Sequence, residues 1–397
     1  MEHPITDLYL RKGADKRIRA GHLWVYSNEV DTKRTPLSLF EAGKCVTVMD
    51  AGGEVLASAY MEPQSLICAR IYAPERQCRL DFDVITGHLL LALAGREAVF
   101  NKPFYRLVYG DSDLLPGLVV DRFGDYLVMQ LNNAGIERYE KEIIAALVSA
   151  LQPLGILLRA DSRSRREQGL QKRIEVVHGQ VPKTVAFEEN NVRFMAPVWE
   201  GQKTGWFYDH RMSRARLVNY VPDKSVLDVY SYIGGWGIQA AVFGASDVTC
   251  LDSSATALKG AQANAQLNDV ADKLSTRLGL AAETMATMRQ EGLLFDVVIL
   301  DPPAFIQRRK DIKKGIAAYR KINELGLHLL RPGGLLISAS CSMHLSRADL
   351  MIALGGAARR AGCQIRVIEQ GAQGADHPIH PAIPETEYLK AVFVRRL

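Results

Sequence analysis

The chain has 397 residues, of which 48% are hydrophobic and 23% are charged, so it can bury a large core and is not a mostly disordered chain. It contains no apolar run near the roughly 20 residues of a membrane-spanning helix, no signal-peptide pattern at its start, and only six scattered cysteines, too few for a disulfide framework. We therefore expect a cytoplasmic protein of two or three domains with no membrane partner, and its net charge of +5 alone indicates no particular partner.

Three segments of the chain are rich in basic residues. The N-terminal basic cluster consists of Arg11, Lys12, Lys16, Arg17 and Arg19. The central basic cluster consists of Arg159, Arg163, Arg165, Arg166, Lys172 and Arg173. The 308–321 basic cluster consists of Arg308, Arg309, Lys310, Lys313, Lys314, Arg320 and Lys321. Any one of them could be an ordinary solvated surface, but three together favour a phosphate-binding protein.

Residues 1–76 have the pattern of a small β domain. Short apolar or alternating segments are separated by turns rich in Gly and Pro, and no amphipathic helix of normal length fits between them. The predicted strands are residues 23–26, 45–49, 55–59 and 66–71. Such strands are expected to close into a small β-barrel.

Residues 77–185 change to a mixed pattern, which predicts a small central α+β domain. Apolar residues at helical spacing predict helices at 84–99 and 139–151, and shorter apolar segments predict strands at 106–108, 118–120 and 126–131.

Residues 186–397 alternate between strand and helix patterns, which is typical of an α/β domain with a parallel, Rossmann-like sheet. The predicted strands are residues 226–230, 248–251, 297–300 and 335–339. The predicted helices are residues 254–267 and 312–330, the second stopped by Arg331-Pro332-Gly333-Gly334.

Ligand-binding signals follow three of these strands. The strand that contains Asp228 leads into a turn with Gly234 and Gly235, where the backbone can approach a ligand closely. Asp252 ends the next strand, where an acid can accept hydrogen bonds from both ribose hydroxyls. Asp301 ends the third strand and is followed by two prolines, which alone could be only a rigid turn. Because strand carboxyl ends meet at one edge, we expect these features to share one crevice.

The combination resembles the class I S-adenosylmethionine-dependent methyltransferases. From about residue 7 to 395, the order and spacing of further motifs resemble the ribosomal RNA large subunit methyltransferase I family. The first part of the chain carries the motifs of a PUA domain and of that family's central domain, namely Lys12-Gly13, Gly21-His22, residues 24–27 and residues 117–124. The last part carries its catalytic-domain motifs, namely residues 201–211, Ser231-Tyr232 with Gly234-Gly235, Asp301-Pro302-Pro303 and Ser340-Cys341-Ser342.

The resemblance implies an N-terminal PUA domain, a Rossmann-like methyltransferase domain, S-adenosylmethionine as cofactor, no metal, and 23S rRNA as the partner that receives 5-methylcytidine. The cofactor-binding residues that it implies are Lys203, Thr204, Gly205, Asp209, Arg211, Asp228, Tyr230, Ser231, Tyr232, Gly234, Gly235, Asp252, Ser253 and Asp301. The expected RNA-binding residues are Arg11, Lys12, Arg17, Arg19 and Phe305. The oligomeric state, including a homodimer, and the target nucleotide are left open.

Methylation at carbon 5 of cytosine calls for a thiolate that adds to ring carbon 6 and for an acid near the ring nitrogen. Cys341 is the expected nucleophile, because it follows a predicted strand and precedes a helix expected near Ser346, whose N-terminus favours a thiolate. Asp301 is the expected acid. The base that removes the carbon 5 proton stays open among Asp209, Asp376 and His377.

The chain departs from the family pattern, and other functions are possible. Ile233 replaces a usual Thr, Ala304 replaces a common Lys, and Gly279-Leu280 stand where an acid usually binds adenine. An RNA methyltransferase acting on an exocyclic amine would use the Asp-Pro-Pro motif with Phe305 and need no nucleophile. A third possibility is an RNA-binding protein without catalysis. A zinc site would require Cys341 and His344 with His377 and His380.

Overall fold

The computed structural model describes residues 5–397, so the first four residues of the predicted domain 1–76 lie outside the described residues. Contacts divide the chain into two units. The first unit comprises the chain up to Phe187, Ala196–Tyr208 and Ala375–Thr386. The second unit comprises Glu188–Met195, Asp209–Gly374 and Glu387–Leu397. This division is coarser than the predicted three domains, whose boundaries stay a prediction. Within residues 5–397, no helix is both long and apolar enough to cross a bilayer.

The first unit begins with a five-stranded sheet. Its strands are β1 (Thr6–Tyr9), β2 (Trp24–Tyr26), β3 (Cys45–Met49), β4 (Val55–Met61) and β5 (Ile67–Pro74), in the order β1-β3-β4-β5-β2, with the short helix α1 (Lys16–Arg19) after β1. The segments that follow the two outer strands pair with each other, because Arg11 N donates to Glu29 O (2.8 Å) and Asp31 N donates to Tyr9 O (2.8 Å). These bonds close the sheet around a buried aliphatic core, as expected of a small barrel.

The same unit contains a second five-stranded sheet with helices packed against it. The strands are β6 (Phe104–Tyr109), β7 (Leu118–Phe123), β8 (Tyr126–Leu131), β9 (Gly155–Ala160) and β10 (Arg173–Gly179), in the order β10-β9-β8-β7-β6. The helices are α2 (Phe82–Glu97), α3 (Ala134–Glu137), α4 (Glu140–Leu151) and α5 (Arg163–Glu167). Ile85 of α2 and Ile143 of α4 enter the same core as Met129 of β8. The helices predicted at 84–99 and 139–151 are therefore confirmed as α2 and α4.

A short hairpin follows, formed by β11 (Val185–Glu189) and β12 (Val192–Ala196). Its turn residues Asn190 and Asn191 both have positive φ (54° and 63°). Asparagine tolerates this left-handed conformation, which two-residue hairpin turns require.

The second unit is built on a seven-stranded sheet. The strands are β13 (Ser225–Val229), β14 (Asp247–Asp252), β15 (Leu274–Leu278), β16 (Phe295–Leu300), β17 (Leu330–Ser340), β18 (Ile365–Gly371) and β19 (Lys390–Arg396), in the order β15-β14-β13-β16-β17-β19-β18. The helices are α6 (Arg211–Ala215), α7 (Gly237–Val242), α8 (Ala255–Leu267), α9 (Ala281–Gln290), α10 (Ile312–His328) and α11 (Arg347–Arg360). All neighbouring strands are parallel except β19, which is antiparallel to both β17 and β18.

The order of this sheet decides where a ligand can bind. From β13 the chain moves outward through β14 and β15, and it then returns to the other side of β13 with β16. Such a reversal of strand order opens a crevice at the carboxyl ends of the two central strands. The predicted parallel sheet is thus confirmed, and its crevice lies where β13 and β16 end.

One predicted turn is part of a strand instead. Helix α10 ends at His328, close to the predicted end, but Arg331-Pro332-Gly333-Gly334 belongs to β17. The pairing of β16 with β17 shifts register between Phe295 and Val297, and Gly333 has a φ of 76°. The Pro-Gly-Gly sequence is accommodated as an irregular start of the strand, where proline and glycine are tolerated.

The start of α11 gives a prediction about stability. Ser346 Oγ accepts from Asp349 N (3.0 Å), and Asp349 Oδ2 accepts from Ser346 N (3.3 Å), which forms a reciprocal cap. Ser346→Ala should therefore lower the free energy of unfolding by about 1 kcal/mol, measured by denaturant titration. Ser149→Ala in the exposed part of α4 is the matched control. It should not lower the free energy of unfolding, because alanine has a higher helix propensity than serine. Equal losses in both variants would contradict the capping role.

Candidate active site

The turn after β13 is fixed by Asp228. The side chain of Asp228 is fully buried, and its Oδ2 accepts a hydrogen bond from the backbone N of Gly237 (2.8 Å), the first residue of α7. A Cβ on Gly237 would lie 2.7 Å from Cys250 Sγ, so no larger residue fits there. Asp228 thereby holds the start of α7 against the sheet and shapes the glycine-rich turn.

The turn itself adopts an unusual backbone conformation. Tyr230, Tyr232 and Gly234 all have positive φ, at 65°, 51° and 86°. Non-glycine residues rarely adopt this region, and such strain concentrates at ligand sites. Ser231 and Gly235 are buried within the same turn. Five predicted cofactor residues, from Tyr230 to Gly235, therefore form one compact loop at the end of β13.

The buried carboxyl group of Asp228 favours binding of a cation or a hydrogen-bond donor. Burial raises the pKa of Asp228 to about 7, and its Oδ1 has no hydrogen-bond partner among residues 5–397. A buried oxygen without a partner is costly unless a ligand or water supplies a donor. The site therefore fits a ligand with ammonium or hydroxyl donors, such as S-adenosylmethionine.

Asp252 lies at the carboxyl end of the neighbouring strand β14. Its Oδ2 accepts from Tyr232 N (2.9 Å), and its Oδ1 accepts from Ser254 N (2.8 Å), the cap residue of α8. The two bonds orient the carboxylate and leave lone pairs on both oxygens. Ser253 between them is exposed. This arrangement could accept the two hydroxyls of a ribose.

Asp301 follows β16 and is held by two aromatic side chains. Trp236 Nε1 donates to Asp301 Oδ2 (3.0 Å), and His210 Nε2 lies 3.2 Å from Asp301 Oδ1. Burial alone would raise the pKa of Asp301, but the charge and hydrogen bond of His210, with the bond from Trp236, lower it below the ordinary value. Burial acts against the charged form of His210 as well, and Asp301 outweighs it and raises the pKa of His210. His210 and Asp301 therefore form an ion pair in which the histidine is buried and the carboxylate is partly exposed.

A second charged network surrounds the backbone next to His210. Asp209 Oδ1 accepts from His210 N (3.0 Å), and its Oδ2 accepts from Tyr388 OH (2.6 Å). Arg211 Nε lies 3.6 Å from Glu189, a buried carboxylate. Asp209 and Arg211, both predicted cofactor residues, thus have structural partners within the second unit.

Cys341 directly follows β17 and is half-buried. The two serines that flank it are fully buried, and Ser340 Oγ and Ser342 Oγ both lie 2.8 Å from the Tyr319 hydroxyl of α10. Ser342 Oγ also accepts from Ile306 N (3.2 Å), in the loop after Asp301. These bonds fix the backbone on both sides of the thiol and connect it to the loop that begins at Asp301.

Lys390 is a site residue that the sequence analysis missed. It is paired in register with Ser340, on the antiparallel strand β19, and is only 6% exposed. Its Nζ donates to Ser342 O (2.9 Å) and to Tyr388 O (2.8 Å). Burial lowers the pKa of Lys390 to about 8, and the negative charge of a Cys341 thiolate partly opposes that shift. The ammonium group of Lys390 is therefore close enough to interact electrostatically with a thiolate at Cys341.

Other predicted site residues belong to the first unit. Lys203, Thr204 and Gly205 lie there, and Thr204 Oγ1 donates to Asp121 Oδ2 (2.5 Å). Asp376 and His377, two of the candidate bases, also lie there and contact each other at 3.0 Å. Residues 5–397 contain no cluster of three or more potential metal ligands.

The sequence around the N-terminal basic cluster has few acidic neighbours, but in the structure most of its arginines are paired with other groups of the chain. Arg17 forms an ion pair with Glu29 (2.8 Å), and Arg11 Nε donates to Val30 O (3.0 Å). Arg19 is paired with three carboxylates, those of Asp15, Asp50 and Glu54. Lys12 is exposed. Phe305, the remaining predicted RNA-binding residue, lies in the second unit and packs on Tyr319 with ring centroids 4.8 Å apart. The RNA-binding roles of these residues stay predictions.

The raised pKa of Asp228 gives a prediction with a definite sign. Between about pH 4 and pH 7, folded Asp228 keeps a proton that the unfolded chain releases, because its pKa is raised from 3.8 to about 7. Stability therefore falls as the pH rises through this window. Asp228→Asn cannot titrate, so its stability relative to wild type should increase by on the order of 4 kcal/mol from pH 4 to pH 7.

Denaturant unfolding of the cofactor-free protein at several pH values measures this effect. The exposed Asp269→Asn is the matched control, and it should follow the wild-type profile. A stability difference between Asp228→Asn and wild type that stays constant with pH would contradict the buried, protonated state of Asp228.

Comparisons with known proteins identify the families of two parts of the chain. Residues 8–74 match the PUA-like domain family, and residues 140–395 match the S-adenosylmethionine-dependent methyltransferase family. The predicted N-terminal PUA domain, the Rossmann-like fold and the cofactor S-adenosylmethionine are therefore confirmed. Among solved structures, the methyltransferase SMU.776 in complex with SAH superposes with a TM-score of 0.84 at 20% identity, covering 98% of this chain and 100% of that chain. At that identity the superposition shows the fold alone.

Curated relatives are similar over nearly their whole length. Ribosomal RNA large subunit methyltransferase I of Aliivibrio fischeri (strain MJ11) is 36% identical, over 98% of this chain and 99% of the relative. The protein of the same name from Tolumonas auensis is 34% identical, over 99% of this chain and 100% of the relative. From this similarity and the match to the methyltransferase family, the chain belongs to the ribosomal RNA large subunit methyltransferase I family of S-adenosylmethionine-dependent enzymes.

Proposed function

We propose that this enzyme methylates carbon 5 of a specific cytosine in 23S rRNA, through a transient covalent bond between Cys341 and ring carbon 6. The observation that carries the proposal is the position of Cys341. It is half-buried at the carboxyl end of β17, and Asp301 is at the end of β16, the adjacent parallel strand. The candidate nucleophile and the Asp301–His210 ion pair thus follow neighbouring strands at the same edge of the sheet.

An RNA substrate is supported by two features of the chain. The relatives named above act, by their names, on large-subunit ribosomal RNA. The N-terminal sheet matches PUA-like domains. The identity of the base and the atom is inferred from the family resemblance together with the chemistry of the site.

Cys341 begins the reaction in this proposal. Its thiolate attacks carbon 6 of the cytosine, a C–S bond forms, and electron density moves to carbon 5 and the ring nitrogen. A cation near a thiol favours the nucleophilic thiolate, and the buried ammonium of Lys390 occupies such a position. The hydrogen bonds of Ser340 and Ser342 fix the backbone on both sides of the thiol.

The ion pair of Asp301 and His210 serves the ring nitrogen. Because Asp301 is held ionised, it can accept a hydrogen bond from the cytosine amine in the ground state. The carboxylate of Asp301 raises the pKa of His210, which favours a proton on the imidazole next to it. When negative charge develops on the ring nitrogen, this proton can reach it through the Asp301 carboxylate.

Bound S-adenosylmethionine supplies the methyl group to carbon 5. Asp228 Oδ1 is available to its amino group, and Asp252 is available to its ribose hydroxyls. Leu278, which is paired in register with Asp252 at the end of β15, is 61% exposed, and Leu280, two residues later, is 59% exposed. They offer apolar contact to the adenine ring in the place where the family usually has an acid. A base then removes the carbon 5 proton, and the thiolate leaves.

The amine-methylating alternative is less well supported by the position of Phe305. In that chemistry an aromatic residue after Asp-Pro-Pro would stack on the target base. Here the Phe305 ring packs on Tyr319 at 4.8 Å between centroids and contributes to the hydrophobic core. The two functions also differ in their need for Cys341, which provides the test.

Cys341→Ala should abolish methyl transfer while folding and S-adenosylmethionine affinity stay close to wild type. Bisulfite mapping of 23S rRNA from cells carrying each variant measures the product. The matched control is Cys363→Ala, because Cys363 is also half-buried but lies beyond α11; it should retain the modification. An active Cys341→Ala protein would refute the nucleophile and favour amine methylation.

RNA with 5-fluorocytidine at the target should trap the wild-type enzyme, because after methylation no carbon 5 proton remains to be removed. Peptide mapping of the adduct identifies the attacking residue. An adduct on any residue other than Cys341 would overturn the assignment.

Lys390→Gln should slow alkylation of Cys341 by iodoacetamide at pH 7, because the cation that favours the thiolate is removed. The difference from wild type should shrink as the pH rises past about 8, where Lys390 itself loses its charge. Rates are measured by mass spectrometry of the Cys341 peptide across pH, and alkylation of Cys363 in the same sample is the control. Identical pH profiles in the two proteins would exclude an electrostatic role for Lys390.

A further inference from the structure

The 308–321 basic cluster is the most weakly neutralised of the three basic clusters. Six of its side chains are exposed, and none of the six has an ion pair or hydrogen bond within residues 5–397; they are Arg308, Arg309, Lys310, Lys313, Lys314 and Lys321. Asp311 is the single acidic residue between positions 302 and 323. This surface therefore carries a large uncompensated positive charge.

The other two clusters are largely paired within the protein. In the N-terminal cluster, Arg17 and Arg19 contact four carboxylates between them. In the central cluster, four of the six basic residues form ion pairs, namely Arg159, Arg163, Arg165 and Arg173. A paired arginine has less free charge to offer a phosphate, because the partner carboxylate repels the same ligand.

The helical geometry of α10 gathers the charge on one side. Its buried face contains Gly315, Tyr319 and Ile322. Lys313, Lys314 and Lys321 fall within about 100° of one another on the opposite side, since each residue advances about 100° around the axis. Long lysine side chains on an exposed stripe can follow a flexible polyanion.

The cluster is also continuous with the proposed catalytic loop. Arg308 comes three residues after Phe305, in the segment that begins at Asp301. From the other side of the same helix, Tyr319 contacts Phe305 and the two serines that flank Cys341. A polyanion bound along this surface would therefore pass next to the position where a target base must enter.

We propose that the 308–321 basic cluster is the main surface through which the second unit binds the phosphates of its RNA substrate. This inference rests on the proposed function, because it takes an RNA as the substrate. The cluster supplies phosphate contacts without base recognition, so it contributes affinity and salt dependence but not sequence preference.

Two double variants test the proposal, Arg309→Gln with Lys310→Gln, and Lys313→Gln with Lys314→Gln. The matched control is Lys183→Gln with Lys224→Gln, which removes two charges from exposed lysines outside the cluster. Binding to transcribed 23S rRNA is measured at several salt concentrations. Removing one charge that binds a phosphate should reduce the slope of log affinity against log salt by about 0.7 to 0.9, so each double variant should lower the slope by about 1.5. The control should keep the wild-type slope.

Further measurements separate this proposal from the proposed function. Each double variant should keep wild-type S-adenosylmethionine affinity and should methylate at the wild-type rate when RNA is saturating. Wild-type slopes in both double variants would overturn the surface, even while wild-type enzyme methylates 23S rRNA. Loss of binding to assembled large subunits alone, with free rRNA binding unchanged, would point to an acidic protein partner and would also overturn it. Failure of wild-type enzyme to methylate rRNA would instead refute the proposed function.

Discussion

Three carboxylates must share one crevice because parallel strands present their ends at the same edge of the sheet. Asp228 lies near the end of β13, Asp252 is the last residue of β14, and Asp301 follows β16. The charges of Asp252 and Asp301 both raise the pKa of Asp228 further. The surrounding structure offsets this repulsion in a different way for each group. Backbone N–H groups hold Asp252, an ion pair with His210 holds Asp301, and partial protonation relieves Asp228. The conformation of the turn, the start of α7 and the orientation of Trp236 all depend on the interactions of these three carboxyl groups.

Much of the fold follows from local sequence signals. Strands β13, β14 and β16 are short apolar runs, as expected of strands buried on both faces, and Ser254 and Ser346 begin helices where the sequence predicts them. Strand β18 was not predicted, because it lies at the edge of the sheet, where four of its seven residues are exposed and its sequence is not a continuous apolar run. The Pro-Gly-Gly sequence before position 335 has turn composition, and only pairing with β16 makes it part of a strand.

Some residues of the candidate site could also be predicted from local sequence signals, whereas others depend on how the strands pair. Asp252, Asp301 and Cys341 could be predicted because each follows a predicted strand, and chain order alone brings strand ends together. Lys390 could not be predicted in this way, since its role depends on the register of an antiparallel strand with β17. The one local signal is a lysine immediately before the apolar run Ala391-Val392-Phe393-Val394. Net charge in the sequence was also a poor guide, since the pairing of Arg19 with three carboxylates is a non-local property.

The acidic character of the crevice bears on how the enzyme completes a cycle. S-adenosylmethionine carries a positive sulfonium, and the demethylated product is a neutral thioether. In the proposed cofactor site, the charge left on these carboxylates, above all on Asp252, attracts the sulfonium cation over a neutral molecule of nearly the same shape. Transfer of the methyl group therefore removes part of the attraction that held the cofactor. The same clustered charges that require so much internal compensation thus favour exchange of spent cofactor for fresh.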